Sequence, residues 1–246
     1  KAVKAALRSD LPRSVLKIIK EAKRYAEGTA YLTLDGHRAD DYNTYMFVTT
    51  DYGESWKSIK SNIPAGVTAR VIREHPRNQN LLFLGTEFGA YVSFDRGGRW
   101  TRLKGNLPLV RVDDIQIHPR DNALVLATHG RSIWVLDDLS PLERASESIL
   151  TSDIHLFDVA PATHFRLYGR KGNTGHKWFA APNPPYGAVI NYYLKDKPKE
   201  KDEVKLTITD ASGAVVRAEA AKPNIGSVDA FRRTLIEAKS IAYSDS

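Results

Sequence analysis

Acidic, basic and histidine side chains collect in the short segments between hydrophobic runs, where binding and catalytic residues are common. Hydrolysis of a glycosidic bond requires two carboxylates roughly 5–10 Å apart. The acidic candidates for such a pair are Asp40, Asp41, Glu87, Asp113 and Asp114. The catalytic residues stay unassigned, with Glu87, Asp113 and Asp114 as candidates. For any one of these residues alone, a solvated loop charge or an ion pair is the commoner role.

The sequence has no motif for a metal site, a nucleophilic triad or a phosphate-binding loop. The sequence contains no cysteine, which excludes disulfides and thiolate metal sites. It has no Ser-His-Asp elbow, phosphate-binding loop or His-x-x-x-His motif, and His37, His129 and His155 are too scattered to indicate a metal. We therefore expect neither a metal nor another cofactor.

An internal repeat organises the chain. Residues 49–56 read Thr-x-Asp-x-Gly-x-x-Trp, and residues 93–100 read Ser-x-Asp-x-Gly-x-x-Trp. A weaker copy at residues 128–137 keeps the Asp but lacks the Gly and the Trp. A His-Pro-Arg element also recurs, at residues 75–77 and 118–120. Repeats of this kind indicate one structural unit used several times.

Each position of the motif has a structural reason. The carboxylate accepts backbone N–H groups in a tight turn, the glycine allows positive φ, and the indole ring is expected to be buried against neighbouring sheets. The predicted structural residues are Thr49, Asp51, Gly53, Trp56, Ser93, Asp95, Gly97 and Trp100. The motif is therefore expected to brace a β-hairpin rather than to catalyse a reaction.

β-Branched and aromatic runs between turn signals predict the strands. These runs are residues 30–34, 45–48, 69–73, 81–85, 90–92, 112–117 and 123–127, with a closing outer strand at 154–157. Four strands in a unit of about 40–45 residues is typical of a β-propeller. The predicted fold class is all-β, with a partial β-propeller of about three four-stranded blades, then a partial β-sandwich, and short helical segments at both ends.

The repeat units resemble BNR (Asp-box) repeats, which occur in sialidases and sortilin-type propellers. Residues 47–57, 85–89 and 129–138 are especially similar to large bacterial secreted proteins of the BNR-repeat glycosyl hydrolase type. The resemblance covers residues 30–222 and implies the C-terminal part of a propeller plus the start of an immunoglobulin-like module. It also implies further blades in a longer, secreted or periplasmic parent, although residues 1–29 lack a signal-peptide pattern.

Changes in composition and pattern divide the chain into five predicted segments. They are a helical segment at 1–28, propeller blades at 29–160, a linker at 161–186, a partial immunoglobulin-like sandwich at 187–222 and a helical tail at 223–246. The two terminal segments depart from the repeat pattern, and we interpret them as foreign to it.

Strand parity predicts where a ligand would bind. Consecutive strands of a blade are antiparallel, so connections after second and fourth strands emerge at the edge opposite the Trp-terminated turns. Residues 36–41, 87–88 and 129–131 form such connections. The predicted binding residues at this edge are His37, Arg38, Asp40, Asp41, Glu87, Arg111, His129 and Arg131.

Two functions remain open at this stage. The favoured one is an extracytoplasmic module that binds a protein or polysaccharide ligand at this edge, and the alternative is a BNR-type glycoside hydrolase. Nucleic acid is not an expected partner, because the net charge of +7 arises mainly from the first 28 residues. No apolar run approaches the roughly 20 residues of a membrane span.

Overall fold

The computed structural model describes residues 25–162, 176, 187–196, 198, 206–208 and 215. Over these residues the chain is mostly β, and it forms two compact units that divide after Glu147. The helices predicted at both ends, most of the linker and most of the sandwich strands lie outside the described residues. The five segment boundaries therefore stay predictions. Within the described ranges, no helix has the length and apolar character needed to cross a bilayer.

Unit 1 contains three antiparallel sheets in chain order. Sheet 1 consists of β1 (Ala30–Gly36), β2 (Asp41–Thr49) and β3 (Lys57–Ser58). Sheet 2 consists of β4 (Ala69–Glu74), β5 (Leu82–Thr86), β6 (Gly89–Ser93) and β7 (Thr101–Arg102). Sheet 3 consists of β8 (Val112–His118), β9 (Ala123–Thr128) and β10 (Ile133–Leu136). Consecutive strands pair in each sheet, so the fold is all-β and partly propeller-like, as the repeat predicts.

Sheet 2 is buried on both faces. On β5, Leu82 and Leu84 belong to the core shared with sheet 1, whereas Phe83 belongs to the core shared with sheet 3. Side chains alternate between the two faces of a strand, so a strand covered on both sides reads as one continuous hydrophobic run. β4 accordingly packs against β1 on one side and against β8 on the other.

Trp100 locks sheet 2 to sheet 1. Its ring is 2% exposed, and its Nε1–H donates to the Ile59 carbonyl over 2.8 Å. The amide side chain of Asn62 bonds both the N–H and the carbonyl of Trp100, each over 2.8 Å. Trp56 stands at the equivalent position of sheet 1 and is only partly buried, with its Nε1 covered but without a hydrogen-bond partner. Trp100 is covered by the sheet that precedes its own. Among the described residues, no sheet precedes sheet 1, so none covers Trp56 in this way.

The two Trp-terminated turns share one hydrogen-bond scheme. Thr49 Oγ1 donates to Asp51 Oδ1 over 2.7 Å, and the Gly53 amide donates to Thr49 Oγ1 over 2.9 Å. Ser93, Asp95 and Gly97 repeat these contacts at 2.7 and 2.8 Å. The two glycines have the same φ of 90°, a conformation that a side chain would strain.

A second link joins sheets 2 and 3 at the same edge as these turns. His75 is fully buried, and its Nε2 lies 3.1 Å from Asn122 Oδ1. Asn122 Nδ2 in turn donates to Glu143 Oε2 over 2.9 Å, and Arg77 forms a bidentate ion pair with the same carboxylate. His118, at the equivalent position of sheet 3, is exposed. As with the tryptophans, burial of a repeated residue depends on an adjacent sheet.

A short helix follows β10 where the repeat would place a fourth strand. This helix is α1 (Ser140–Arg144), and it follows the weak third copy of the motif. Pro141 is at its first turn, and Asp138 Oδ1 accepts the Ser140 N–H over 2.8 Å. Proline lacks a ladder donor and suits the first turn of a helix, so this segment favours a helix over an outer strand.

A fourth sheet lies in unit 2. It consists of β11 (Ile154–Leu156) and β12 (Tyr192–Leu194), and α2 (Glu147–Thr151) precedes it. The prediction that residues 154–157 close a propeller blade is therefore wrong. β11 forms its backbone hydrogen bonds with β12. The local sequence of β11 does not reveal which strand it will pair with, because its partner lies far along the chain.

The contrast between the two tryptophans predicts unequal effects on stability. Trp100→Ala should lower the free energy of unfolding by about 3–5 kcal/mol, because it empties a buried site and removes the bond to Ile59. Trp56→Ala should cost clearly less, because that ring is only half-buried. Urea unfolding followed by far-UV circular dichroism measures both, and equal losses would contradict the packing described above.

The first turn also predicts an acid dependence. Hydrogen bonds from the Ser55 hydroxyl, the Ser55 amide and the Thr49 hydroxyl lower the pKa of Asp51 from 3.8 to about 2. Because the folded pKa is depressed, this stabilisation is present above pH 4 and is lost as pH falls towards 2. Asp51→Asn should therefore flatten the decline of the urea midpoint in this window. Glu54→Gln, in the same turn, is the control that should leave the decline unchanged.

Candidate functional site

Two β-bulges place charged residues at the edge opposite the Trp-terminated turns. The register shifts between Ala69 and Val71 at the start of β4, and between Val112 and Asp114 at the start of β8. A bulge inserts one residue that has no direct partner and redirects its side chain. The inserted residues are Arg70 in sheet 2 and Asp113 in sheet 3. They occupy equivalent positions of the repeat, but one has a guanidinium group and the other a carboxylate.

Three other charged or polar residues lie at or just after the ends of the second strands at this edge. Glu87 and His129 are anchored alike, since their amides donate to the Thr68 and Arg111 carbonyls over 3.0 and 2.9 Å. In sheet 1 the same place is taken by Asp35, at a register shift near the end of β1. We call the set His37, Asp35, Arg70, Glu87, Arg111, Asp113 and His129 the edge network.

Arg70 is the centre of the edge network. Its guanidinium contacts the Asp35 carboxylate and donates to Glu87 Oε2 from both Nε and Nη2, over 3.1 and 2.6 Å. The side chain is 14% exposed. Partial burial alone would lower the pKa of Arg70, but the hydrogen bond and charge of Glu87, with the charges of Asp35 and Asp113, raise it. One cation therefore interacts with three carboxylates.

Asp35 is held from its other side by His37. The His37 amide donates to Asp35 Oδ1 over 3.0 Å, and the ring Nδ1 lies 2.7 Å from Oδ2. Desolvation opposes ionisation of Asp35, but the bonds from His37 and the charge of Arg70 keep its pKa below the ordinary value. The carboxylate is thus fixed in its charged form.

Asp113 pairs with Arg111 at the far end of the network. Arg111 Nη2 donates to Asp113 Oδ2 over 3.2 Å and lies 2.9 Å from His129 Nδ1. Arginine has only donors, so His129 Nδ1 can take part in this contact only as the acceptor. The same Nδ1 lies 3.4 Å from Asp113 Oδ2, so Arg111, Asp113 and His129 form one cluster.

Asp114 belongs to a different cluster. Its carboxylate pairs with Arg73 over 2.8 Å and accepts a bond from Gln116 Nε2 over 2.9 Å. Partial burial would raise the pKa of Asp114, but these bonds, the Ile115 amide and the charge of Arg73 lower it. The three catalytic candidates therefore divide, with Glu87 and Asp113 around Arg70 and Asp114 beside Arg73.

The remaining predicted binding residues lie at the same edge without joining the network. Asp41 accepts bonds from the Asn43 side chain and the Tyr45 hydroxyl, each over 2.7 Å, so its carboxylate is engaged on its own strand. Asp40 has a φ of 57° and closes the short helical turn 37–39. Arg38 and Arg131 are exposed. The described residues contain no group of three or more potential metal ligands.

Asp35 and Arg70 were not among the predicted site residues. Asp35 lies within β1, whereas Arg70 lies at the entry to β4, where the prediction named Asp113 and Asp114 of the next unit but not Arg70. A bulge arises from strand pairing and leaves no local signature in the sequence. The usable signal was the repeat itself, because Arg70 precedes Asp113 by 43 residues.

Comparisons with known proteins give limited likeness. No protein-family model matches the chain, and no curated protein sequence matches it. An ancestral GH74 enzyme is similar in structure, with 19% identity and a TM-score of 0.34 over 45% of this chain and 13% of the enzyme. The GH74 xyloglucanase from Xanthomonas campestris is similar with 13% identity and a TM-score of 0.31, over 39% of this chain and 18% of that chain.

The edge network predicts a measurable coupling between its charges. Arg70→Gln should lower the free energy of unfolding by about 1–2 kcal/mol, because two carboxylates lose their cation at a largely covered position. In a double-mutant cycle, Arg70→Gln and Glu87→Gln should couple by about 0.5–1 kcal/mol. Arg73→Gln is the matched control, whose half-exposed ion pair should cost less. Additive effects of Arg70→Gln and Glu87→Gln would show that the pair contributes no stability.

Proposed function

We propose that unit 1 is a carbohydrate-binding module that takes a neutral polysaccharide at the edge network. The observation that carries this proposal is the set of carboxylates around Arg70, which ion pairs hold in place before any ligand arrives. Carboxylates and guanidinium groups offer acceptors and donors at fixed positions, which suits the many hydroxyl groups of a sugar. Preorganisation of these side chains reduces the entropy lost on binding.

The balance of charge at this edge favours a neutral ligand. Its carboxylates are Asp35, Asp40, Asp41, Glu87 and Asp113. Its guanidinium groups include Arg38, Arg70, Arg111 and Arg131, and that of Arg102 lies beside Gly89. The two kinds of charge are therefore close to balance. A polyanion such as nucleic acid would need a surface with a clear excess of basic side chains.

The electrostatics support binding rather than hydrolysis. A glycosidase needs one carboxyl group whose pKa is raised, so that it can donate a proton to the leaving group. The pKa of Asp114, one of the three candidates, is lowered instead, and both Nε and Nη2 of Arg70 hold the Glu87 carboxylate as an acceptor. Hydrolysis by Glu87 and Asp113 is the alternative that an experiment must test.

The proposal includes membership of the Asp-box (BNR) propellers and a secreted or periplasmic parent protein. The shared hydrogen-bond scheme of the two Trp-terminated turns supports the first part. The location rests on the resemblance of the repeat units alone.

Binding and turnover can be measured on the full 246-residue chain. We expect retarded migration in affinity gels that contain a soluble neutral polysaccharide, and no release of reducing sugar. Arg70→Gln and Glu87→Gln should weaken retardation at least tenfold, while Arg73→Gln should not.

Two results would contradict this proposal in different ways. Absence of retardation on every neutral polysaccharide tested would remove the binding function. Release of reducing sugar that Glu87→Gln or Asp113→Asn abolishes, with the melting temperature unchanged, would favour the hydrolase.

A further inference from the structure

Phe88 occupies a rigid position beside the edge network. Glu87 and Phe88 are the two residues that connect β5 to β6. The buried Thr86 hydroxyl donates to the Gly89 carbonyl over 2.8 Å and accepts the Phe88 amide over 3.1 Å. Gly89 has a φ of 113°, which favours glycine. The connection is therefore fixed before and after Phe88.

The ring of Phe88 is exposed although its neighbours are held. Phe88 is 45% exposed. By contrast, the Glu87 carboxylate accepts a hydrogen bond from Arg70, and the Glu87 amide donates one to the Thr68 carbonyl. An exposed ring adds little to folding, and a single one is common on protein surfaces. Here, however, hydrogen bonds fix the backbone of Phe88, and Arg70 holds the carboxylate of the preceding residue, so an apolar ring and a fixed charged group adjoin.

Other apolar side chains are exposed at the same edge. Tyr42, at the start of β2, is 56% exposed, and Ile133, at the start of β10, is 67% exposed. Leu109, two residues before Arg111, is 65% exposed as well. All three sheets thus have an exposed apolar side chain towards this edge.

A sugar ring matches this pattern of apolar and charged groups. A hexopyranose has C–H groups on its faces and hydroxyl groups around its rim, so aromatic rings contact the faces and charged groups bond the rim. Ligand sites combine apolar surfaces with a few fixed polar groups in this way. We propose that Phe88 stacks on the face of a neutral hexopyranosyl unit while Glu87 and Arg70 bond its hydroxyls. This inference rests on the proposed carbohydrate-binding function and identifies a residue that determines ligand preference.

A substitution series at Phe88 tests the inference. Affinity for a retarding polysaccharide should be retained in Phe88→Trp and Phe88→Tyr, and should fall about threefold to tenfold in Phe88→Leu and Phe88→Ala, matching typical aromatic pair energies. Leucine keeps apolar volume but has no flat ring, so it separates stacking from general hydrophobic contact. Leu136→Ala is the matched control, because Leu136 is also 45% exposed but lies at the opposite end of β10.

A spectroscopic signal reports contact directly. Phe88→Trp should show a ligand-dependent change in tryptophan emission that exceeds the change in the unsubstituted protein. Equal affinity across the whole series, or no additional emission change, would overturn the role of Phe88 while Arg70→Gln still weakens binding. If the unsubstituted protein binds no neutral polysaccharide, both the proposed function and this inference fail.

Discussion

Burial of sheet 2 on both faces is the constraint on which the rest of unit 1 depends. Leu82 and Leu84 pack towards sheet 1, and Phe83 packs towards sheet 3, so β5 belongs to two hydrophobic cores at once. A shift of one residue in β5 would exchange these faces and disrupt both cores. The same packing brings β4 between β1 and β8, and this position lets Arg70 reach carboxylates from all three sheets.

The two edges of the sheets have different physical roles. At one edge, the Trp-terminated turns and the His75–Asn122–Glu143 link satisfy their polar groups internally and join neighbouring sheets. At the other, the edge network holds charged groups by ion pairs that stay partly exposed. The first edge is thus closed by internal hydrogen bonds, whereas the second keeps its paired charges and the Phe88 side chain partly exposed.

Repetition explains both the successful and the unsuccessful sequence predictions. The spacing of Asp51 and Asp95 correctly indicated successive antiparallel hairpins, because each hairpin depends on local turn chemistry. Full burial of Trp56 and an outer blade strand at residues 154–157 were expected from the same repeat, but Trp56 is only partly buried and residues 154–156 pair with β12. The burial of a side chain and the pairing of an outer strand both depend on which sheet lies next to them. The sequence of the turn does not specify that neighbouring sheet.

The sequence by itself determined the hairpins, the order of the strands and the edge that collects His37, Glu87 and His129, because turn residues and alternation act over a few residues. Only the tertiary structure decided which charges meet. Arg70 and Asp113 reach that edge through bulges, and Asp114 turns to Arg73 although it is adjacent in sequence to Asp113. Bulges and ion pairs depend on the pairing of strands and the packing of sheets, so their partners lie tens of residues apart.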